Sequence, residues 1–320
     1  MNDTVFSQEM ASTRQIKFFA FVILEPPALI CNILLVYYLL FDRTLRQNLY
    51  YHSIAALLTA CLLTNLIVVP RIINYLYSGH TLPETNINCL IWQWCDYLLF
   101  GIVNILIFCV SMERFLLILY SYLYGTARRR FIFHYLPIII LIIYITIFYT
   151  AAILMNSCEL NFNFGQPLCG FPCYTMTTSI SLYDTIVHSW LPLFGSTFVD
   201  VYLVIQVVHR RQTIQRQRAQ WRKYRKMLIQ LIVISSLYLT LQIPFYTTLS
   251  IRLFTVLPDS VLYIFVNYIY YFFWLLTLLL PFVCIGSIPE IVGKLKHLVT
   301  RHMGRQTTMI NQTIRYNHGR

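Results

Sequence analysis

Charged side chains are scarce in this chain, since Asp, Glu, Lys and Arg together make up 11% of its 320 residues. In a soluble globular domain about a quarter of the residues are charged. Apolar residues account for 58% of the sequence instead. The shortage of charge excludes a water-soluble globule and indicates an integral membrane protein.

The residue patterns of an enzyme are also missing. No histidines have the spacing of a metal site, and no nucleophile motif is present. We therefore predict no catalytic activity, no cofactor and no metal. The sequence also lacks an internal repeat, which argues against a transporter, because transporters are commonly built from two related halves.

Seven apolar runs are each long enough to cross a bilayer as a helix. They cover about residues 16–41, 49–77, 89–122, 131–155, 182–209, 224–254 and 259–286. This pattern predicts an all-α membrane protein, with a seven-transmembrane helix bundle over residues 16–287 after an N-terminal tail of residues 1–15. Apolar residues at helical spacing then predict a short amphipathic helix on the membrane surface over residues 288–299, followed by a polar tail of residues 300–320.

Basic residues dominate the connections after the first, third, fifth and seventh runs, and the net charge is +12. By the positive-inside rule these connections are cytoplasmic. The rule predicts a multi-pass protein of the plasma membrane with its N-terminus outside and its C-terminus inside. The basic segments then face anionic lipid headgroups rather than nucleic acid.

Four of the nine cysteines fall at or in the connections that are predicted to lie outside, where disulfides form. They are Cys89, Cys158, Cys169 and Cys173. Four cysteines allow three pairings, so their positions leave the connectivity open. Asn2 begins a glycosylation sequon in the predicted extracellular tail.

The third run carries two ionisable residues in a fixed relation to each other. Asp96 and Arg114 are 18 residues apart, which is five helical turns, so both leave the same helix face about 27 Å apart. Ionisable residues inside a membrane point into a bundle or a wet cavity. In the fifth run, Asp184 and His188 are four residues apart; they either satisfy each other as a local pair or line a cavity level with Asp96.

The ordered set of seven runs, with Cys89 at the head of the third and Glu113-Arg114-Phe115 at its foot, resembles the rhodopsin-like G-protein-coupled receptors. Further matches to that family are Asn32, Pro192, Pro244 and Pro281. The resemblance implies a disulfide from Cys89 to Cys169 or Cys173, with Cys158 paired to the other. It also implies that Arg114 pairs with Glu113 at rest and couples to a heterotrimeric G protein when the sixth helix swings outward, beside a basic connection that contains Arg222, Lys223 and Lys226.

Several family motifs are altered in this sequence. The sixth-helix motif reads Leu241-Gln242-Ile243-Pro244, without its aromatic residue, and Leu280 stands where the seventh-helix motif has asparagine. These departures indicate a divergent member whose switching parts differ. Residues 259–286 contain no lysine, so light sensing through a retinal Schiff base is not expected.

For the ligand, Asp96 stands where amine-binding receptors of this family hold their ammonium-pairing aspartate. The resemblance thus implies a small cationic ligand or a basic peptide. We expect the cation to be surrounded by Trp92, Tyr246, Tyr270 and Trp274. At the far end of the ligand we expect Asp184 and His188. Two alternatives stay open: Asp96 only bonds a neighbouring tyrosine, or the chain is a cation transporter or channel along Glu25, Asp96, Asp184 and Asp200.

Overall fold

The computed structural model describes residues 11–155, 162–209, 218–255 and 259–287, together with Gly293. Four predictions lie outside these residues: the sequon at Asn2, Cys158, the surface helix over residues 288–299 (Gly293 aside) and the tail of residues 300–320. The side chains of Arg222, Lys223 and Lys226 are not described either, although the backbone that carries them is helical.

Seven helices of the described chain are long and apolar enough to cross a membrane. In chain order they are α1 (Thr13–Phe41), α2 (Tyr50–Ser78), α3 (Asn86–Leu119), α4 (Ala127–Leu154), α5 (Thr178–His209), α6 (Leu228–Phe254) and α7 (Tyr263–Gly286). The predicted helical bundle is therefore confirmed. α4 begins before its apolar run, because the Thr126 side chain accepts a hydrogen bond from the Arg129 amide and caps the helix.

Consecutive helices pack against each other, and α1 also contacts α7, which closes the ring. α3 lies against α2, α4 and α5. It buries polar side chains along its length, among them Asp96, Asn104, Glu113 and Arg114. The helix that carries the predicted functional residues is thus the one that most other helices surround.

The outer faces of the helices are apolar and exposed. On α4, for example, Ile140, Ile143 and Ile147 are 54%, 53% and 63% exposed. Water would make such a surface costly, whereas lipid solvates it. The distribution of apolar side chains therefore fits a bundle in a bilayer.

At two of the helix prolines, the backbone carbonyl one turn earlier accepts a hydrogen bond from a side chain of a neighbouring helix. Pro281 has no N–H for the carbonyl of Thr277 one turn earlier, and Asn65 of α2 donates to that carbonyl at 3.3 Å. Pro192 likewise cannot donate to the carbonyl of His188, and Asn104 of α3 donates there at 3.4 Å. These proline sites in α5 and α7 are therefore fastened to the helix beside them.

Residues 162–177 cross the end of the bundle at which α3 begins, which we call the Cys89 end. A disulfide joins Cys89 to Cys169, the first of the two partners that the sequence left open. Gln93 donates to the carbonyls of Leu168 and Gly170 at 2.9 and 3.1 Å. The disulfide and these two hydrogen bonds therefore fix the connection against the first turns of α3. Cys173 is also disulfide-bonded.

Candidate functional site

A cavity of about 40 Å³ lies at the Cys89 end between α3, α4, α5, α6, α7 and the crossing connection. Its polar wall contains Asp96, Asp184 and Ser189, and its aromatic wall contains Tyr97, Phe100, Tyr149, Phe171, Phe245, Tyr270, Phe273 and Trp274. A water molecule needs about 10–15 Å³ of such space. The cavity therefore has room for about three waters or one small polar group.

Asp96 is the buried carboxylate of this cavity, with 5% of its surface exposed. The Trp274 indole N–H donates to its Oδ1 at 2.8 Å. No basic side chain of the described residues forms an ion pair with Asp96. A buried carboxylate normally has a charged partner, whereas within the described part of the chain Asp96 has one neutral donor and no basic partner.

Aromatic rings surround this carboxylate. Phe100 of α3 meets Phe273 of α7 edge to face at 4.4 Å between ring centroids, and Tyr270 meets Trp274 at 5.3 Å. The faces of such rings attract cations, most strongly where water is excluded. The aromatic walls and the Asp96 carboxylate therefore both favour a cation in this cavity.

Asp184 also lines the cavity, but its oxygens are already in use. It accepts hydrogen bonds from the hydroxyls of Tyr149 and Tyr174, and His188 Nδ1 lies 2.8 Å from its Oδ1. Burial and the Asp184 carboxylate raise the pKa of Tyr174 well above its ordinary value, so this hydroxyl keeps its proton for the bond. The other ring nitrogen of His188 bonds the Tyr144 hydroxyl at 2.9 Å. Asp184 therefore pairs with His188 and also lines the cavity, so it fits both of the interpretations that the sequence left open, whereas His188 takes part only in the pair.

Three residues that we expected at the ligand do not line this cavity. His188 lies behind Asp184 as described, and Trp92 is buried with 1% exposure. Tyr246 turns toward α3 instead, where Asn104 Nδ2 donates to its hydroxyl at 2.7 Å. Asp96, Asp184, Tyr270 and Trp274 are the expected residues that the structure brings together.

The remaining wall residues were not predicted from the sequence. Tyr97 and Phe100 follow Asp96 on α3, and Phe245 and Phe273 each precede an expected residue. A search for aromatic residues one helical turn from Asp96 would have indicated Phe100. Phe171 lies in an irregular segment, where no periodicity gives a side chain's direction.

At the opposite end of α3, the Arg114 end, Glu113 is buried between two other helices. Ser53 of α2 donates to its Oε2, and His134 Nδ1 of α4 lies 3.0 Å from its Oε1. Glu113 thus joins α2, α3 and α4. This arrangement gives Glu113 contacts other than the pairing with Arg114 that the family resemblance implies.

Arg114 is 1% exposed and extends toward α6. Its Nη2 donates to Gln230 Oε1 at 3.2 Å, and its guanidinium carbon lies 4.8 Å above the ring of Tyr50. Tyr50 donates to the same Gln230 oxygen at 2.5 Å. Phe115 packs between Tyr120 and Tyr202. Arg114 therefore connects α3 to α6.

No cluster of His, Cys, Asp and Glu in the described residues has the geometry of a metal site.

Comparison with known proteins identifies the family. The model of the 7 transmembrane receptor (rhodopsin family) matches residues 31–283, and no curated protein gives a significant match. The matched region contains Asp96, the crossing connection and the Arg114 end. The chain belongs to the rhodopsin family of seven-transmembrane receptors.

Proposed function

We propose that this chain is a plasma-membrane receptor that binds the cationic group of a small amine or a basic peptide on Asp96 and couples to a heterotrimeric G protein at the Arg114 end. The N-terminus and the Cys89 end then face outward, and the C-terminus faces the cytoplasm. The proposed class of protein is a receptor and signal transducer rather than an enzyme.

The observation that carries the ligand assignment is the state of Asp96. It is buried, it accepts one hydrogen bond from a neutral donor, and no described basic residue pairs with it. An ammonium or guanidinium group that entered the cavity would form a charge-assisted hydrogen bond with it. The aromatic walls would add cation–π attraction.

The small volume of the cavity limits how the ligand enters. At about 40 Å³ the space accepts an ammonium group but not a whole amine drug or peptide. The rest of a larger ligand must displace wall side chains or reach outward past Phe171. A ligand that binds a wider cavity better than this one shifts the bundle toward the wider form.

The contacts of Arg114 support the proposed coupling to a G protein. Arg114 holds α6 through Gln230, so an outward movement of α6 has to break this bond. The guanidinium would then face the space that α6 vacates. That space is where the family resemblance implies that a G protein binds, and the basic residues Arg222, Lys223 and Lys226 follow α5 in sequence on the same side.

The alternative, a cation transporter or channel, finds less support in the carboxylates. Asp184 accepts hydrogen bonds from Tyr149 and Tyr174, and His188 lies beside it as well. A carboxylate whose two oxygens are both engaged by protein donors offers a poor stepping site for a passing cation, because the step has to break those bonds. Membership of a receptor family also favours the first proposal.

The test measures calcium and cyclic AMP in cells that express the chain, during exposure to a panel of biogenic amines and basic peptides. Asp96→Asn keeps the shape but removes the charge, and we expect the half-maximal concentration to rise about 10- to 150-fold, the worth of a hydrogen bond to a charged group. Arg114→Ala is expected to abolish the calcium or cyclic AMP response, while binding of the ligand to the expressing cells stays measurable.

Glu25→Gln is the matched control, because it removes an acidic residue of α1 that does not line the cavity. It should respond as the wild type does. An unchanged response in Asp96→Asn would refute the ligand assignment, and an unchanged response in Arg114→Ala would refute the coupling assignment.

A further inference from the structure

A second cavity, of about 160 Å³, opens beside the first at the Cys89 end. The crossing connection, the start of α5 and the end of α6 form its walls. Leu249 lines both cavities. The two cavities are therefore neighbours along α6, and the second one is the larger.

Arg252 is the charged residue of this second cavity. Its guanidinium carbon lies 3.9 Å from the centroid of the Phe171 ring, and Phe171 is itself a wall residue of the first cavity. No carboxylate of the described residues pairs with Arg252. A guanidinium presents several donors in a planar fork that fits a carboxylate with two parallel hydrogen bonds, and among the described residues these donors have no acidic partner.

Hydroxyl groups on the opposite wall add further donors. Thr178 and Ser181 line the cavity at the start of α5, and their hydroxyls make no hydrogen bond to another described residue. Thr175 also lines it, but its hydroxyl donates to the carbonyl of Pro172 at 2.7 Å. The second cavity is thus lined by one guanidinium and by two hydroxyls that no other described residue engages, with Met176, Leu249 and Leu253 as its apolar walls.

We propose that this second cavity binds a carboxylate of the same ligand whose cation binds Asp96. The ligand is then amphoteric, with an ammonium group at one end and a carboxylate at the other, separated by a spacer that passes Phe171 and Leu249. This inference rests on the proposed function for the position of the cation. It adds the chemistry that separates this ligand from simple amines. An amine without a carboxylate leaves the Arg252 guanidinium without an acidic partner, whereas the carboxylate of an amphoteric ligand pairs with it.

The test uses ω-amino carboxylic acids of about four to twelve carbons and the matching carboxamides, which keep the length and the ammonium group but lack the negative charge. The thermal unfolding midpoint of the purified full-length chain is followed against the concentration of each compound. We expect at least one acid to bind at a concentration ten or more times lower than its amide. In Arg252→Gln this preference should fall to about one, and Arg252→Lys should keep part of it.

The outcomes separate this inference from the proposed function. Equal binding of acids and amides by the wild type, binding of no acid at all, or an acid preference that survives in Arg252→Gln would overturn the carboxylate site. Amide binding that is unchanged in Asp96→Asn would overturn the cation site instead. The unliganded midpoints of both variants check that they fold.

Discussion

The indole N–H of Trp274 donates a hydrogen bond of 2.8 Å to the carboxylate of Asp96, and so joins α7 to α3 inside the cavity. Trp274→Phe keeps an aromatic ring in place and removes the donor. We expect the free energy of unfolding to fall by about 1.5–3 kcal/mol, the range for a hydrogen bond to a charged group. Thermal unfolding of the purified chain measures the change.

Trp92→Phe is the control for this substitution. Trp92 is also buried on α3, and its indole N–H makes no hydrogen bond to any described residue. The same chemical change should therefore cost less there. Equal losses at the two positions would show that the Trp274 bond contributes nothing beyond packing.

A second prediction concerns the proline site at Pro281. Asn65→Leu removes the donor to the Thr277 carbonyl, which then lies buried without a partner. We expect a loss of about 1–3 kcal/mol in the free energy of unfolding. The diagnostic comparison is made in a Pro281→Ala background, where the substituted residue supplies a backbone N–H for that carbonyl.

In this background Asn65→Leu should cost less than in the wild type. A cost that does not depend on Pro281 would mean that Asn65 acts through other contacts, such as the Thr277 hydroxyl that donates to its side-chain oxygen at 3.1 Å. A double-mutant cycle isolates the coupling between the two positions.

Glu113 supplies a third prediction, because Ser53 donates to one of its oxygens and the His134 ring lies 3.0 Å from the other. That second oxygen makes no hydrogen bond to a described residue, so His134 is the polar group nearest to it by ion-pair distance. His134→Leu leaves the buried acid beside an apolar side chain, and we expect a loss of about 1–3 kcal/mol in stability. In a Glu113→Gln background the same substitution should cost less. His209→Leu, at an exposed position near the end of α5, is the control and should leave the unfolding midpoint nearly unchanged.

The crossing connection supplies a fourth prediction. Replacing both Cys89 and Cys169 by serine opens a covalent loop with a sequence separation of 80. Removing such a link costs about 2–4 kcal/mol, and it also frees Phe171 from its place at the cavity wall. We expect a lower unfolding midpoint and, if the proposed function is correct, a weaker response to an amine or peptide of the panel that activates the wild type.

Cys95→Ser is the matched control, since Cys95 is a free thiol on the same helix. It should change neither the midpoint nor the response by a comparable amount. If the double serine variant responds as strongly as the wild type, the connection does not shape the binding site.

The helices were predictable because about twenty apolar residues in a row have few alternatives in a chain this poor in charge. That Asp96 faces the bundle was predictable for a related reason: ionisable groups inside a span do not point at lipid. The direction of individual side chains was harder. Phe245 lines the cavity and Tyr246 does not, yet the two are adjacent, and neighbours on a helix point about 100° apart.

The direction of side chains along α5 was also hard to predict from the sequence. Residues Thr185–Trp190 form a π-helical turn, which inserts one residue into the helical repeat. A phase counted at about 3.6 residues per turn from Asp184 is therefore shifted beyond this turn. The sequence correctly paired Asp184 with His188, but it did not show that Tyr149 and Tyr174 would supply the other donors, since these come from α4 and from the irregular connection.

Asn104 has a mechanical consequence for the bundle. Its carboxamide donates to the His188 carbonyl one turn before Pro192 and to the Tyr246 hydroxyl, and it accepts from Tyr238 at 3.1 Å. One planar group on α3 therefore links α5 to α6. The bond to α5 is already long at 3.4 Å, so a shift of the His188 carbonyl by about an ångström would break it. The carboxamide would then keep only its two bonds to α6, so the backbone position of α5 at His188 and the hold of α3 on α6 depend on the same side chain.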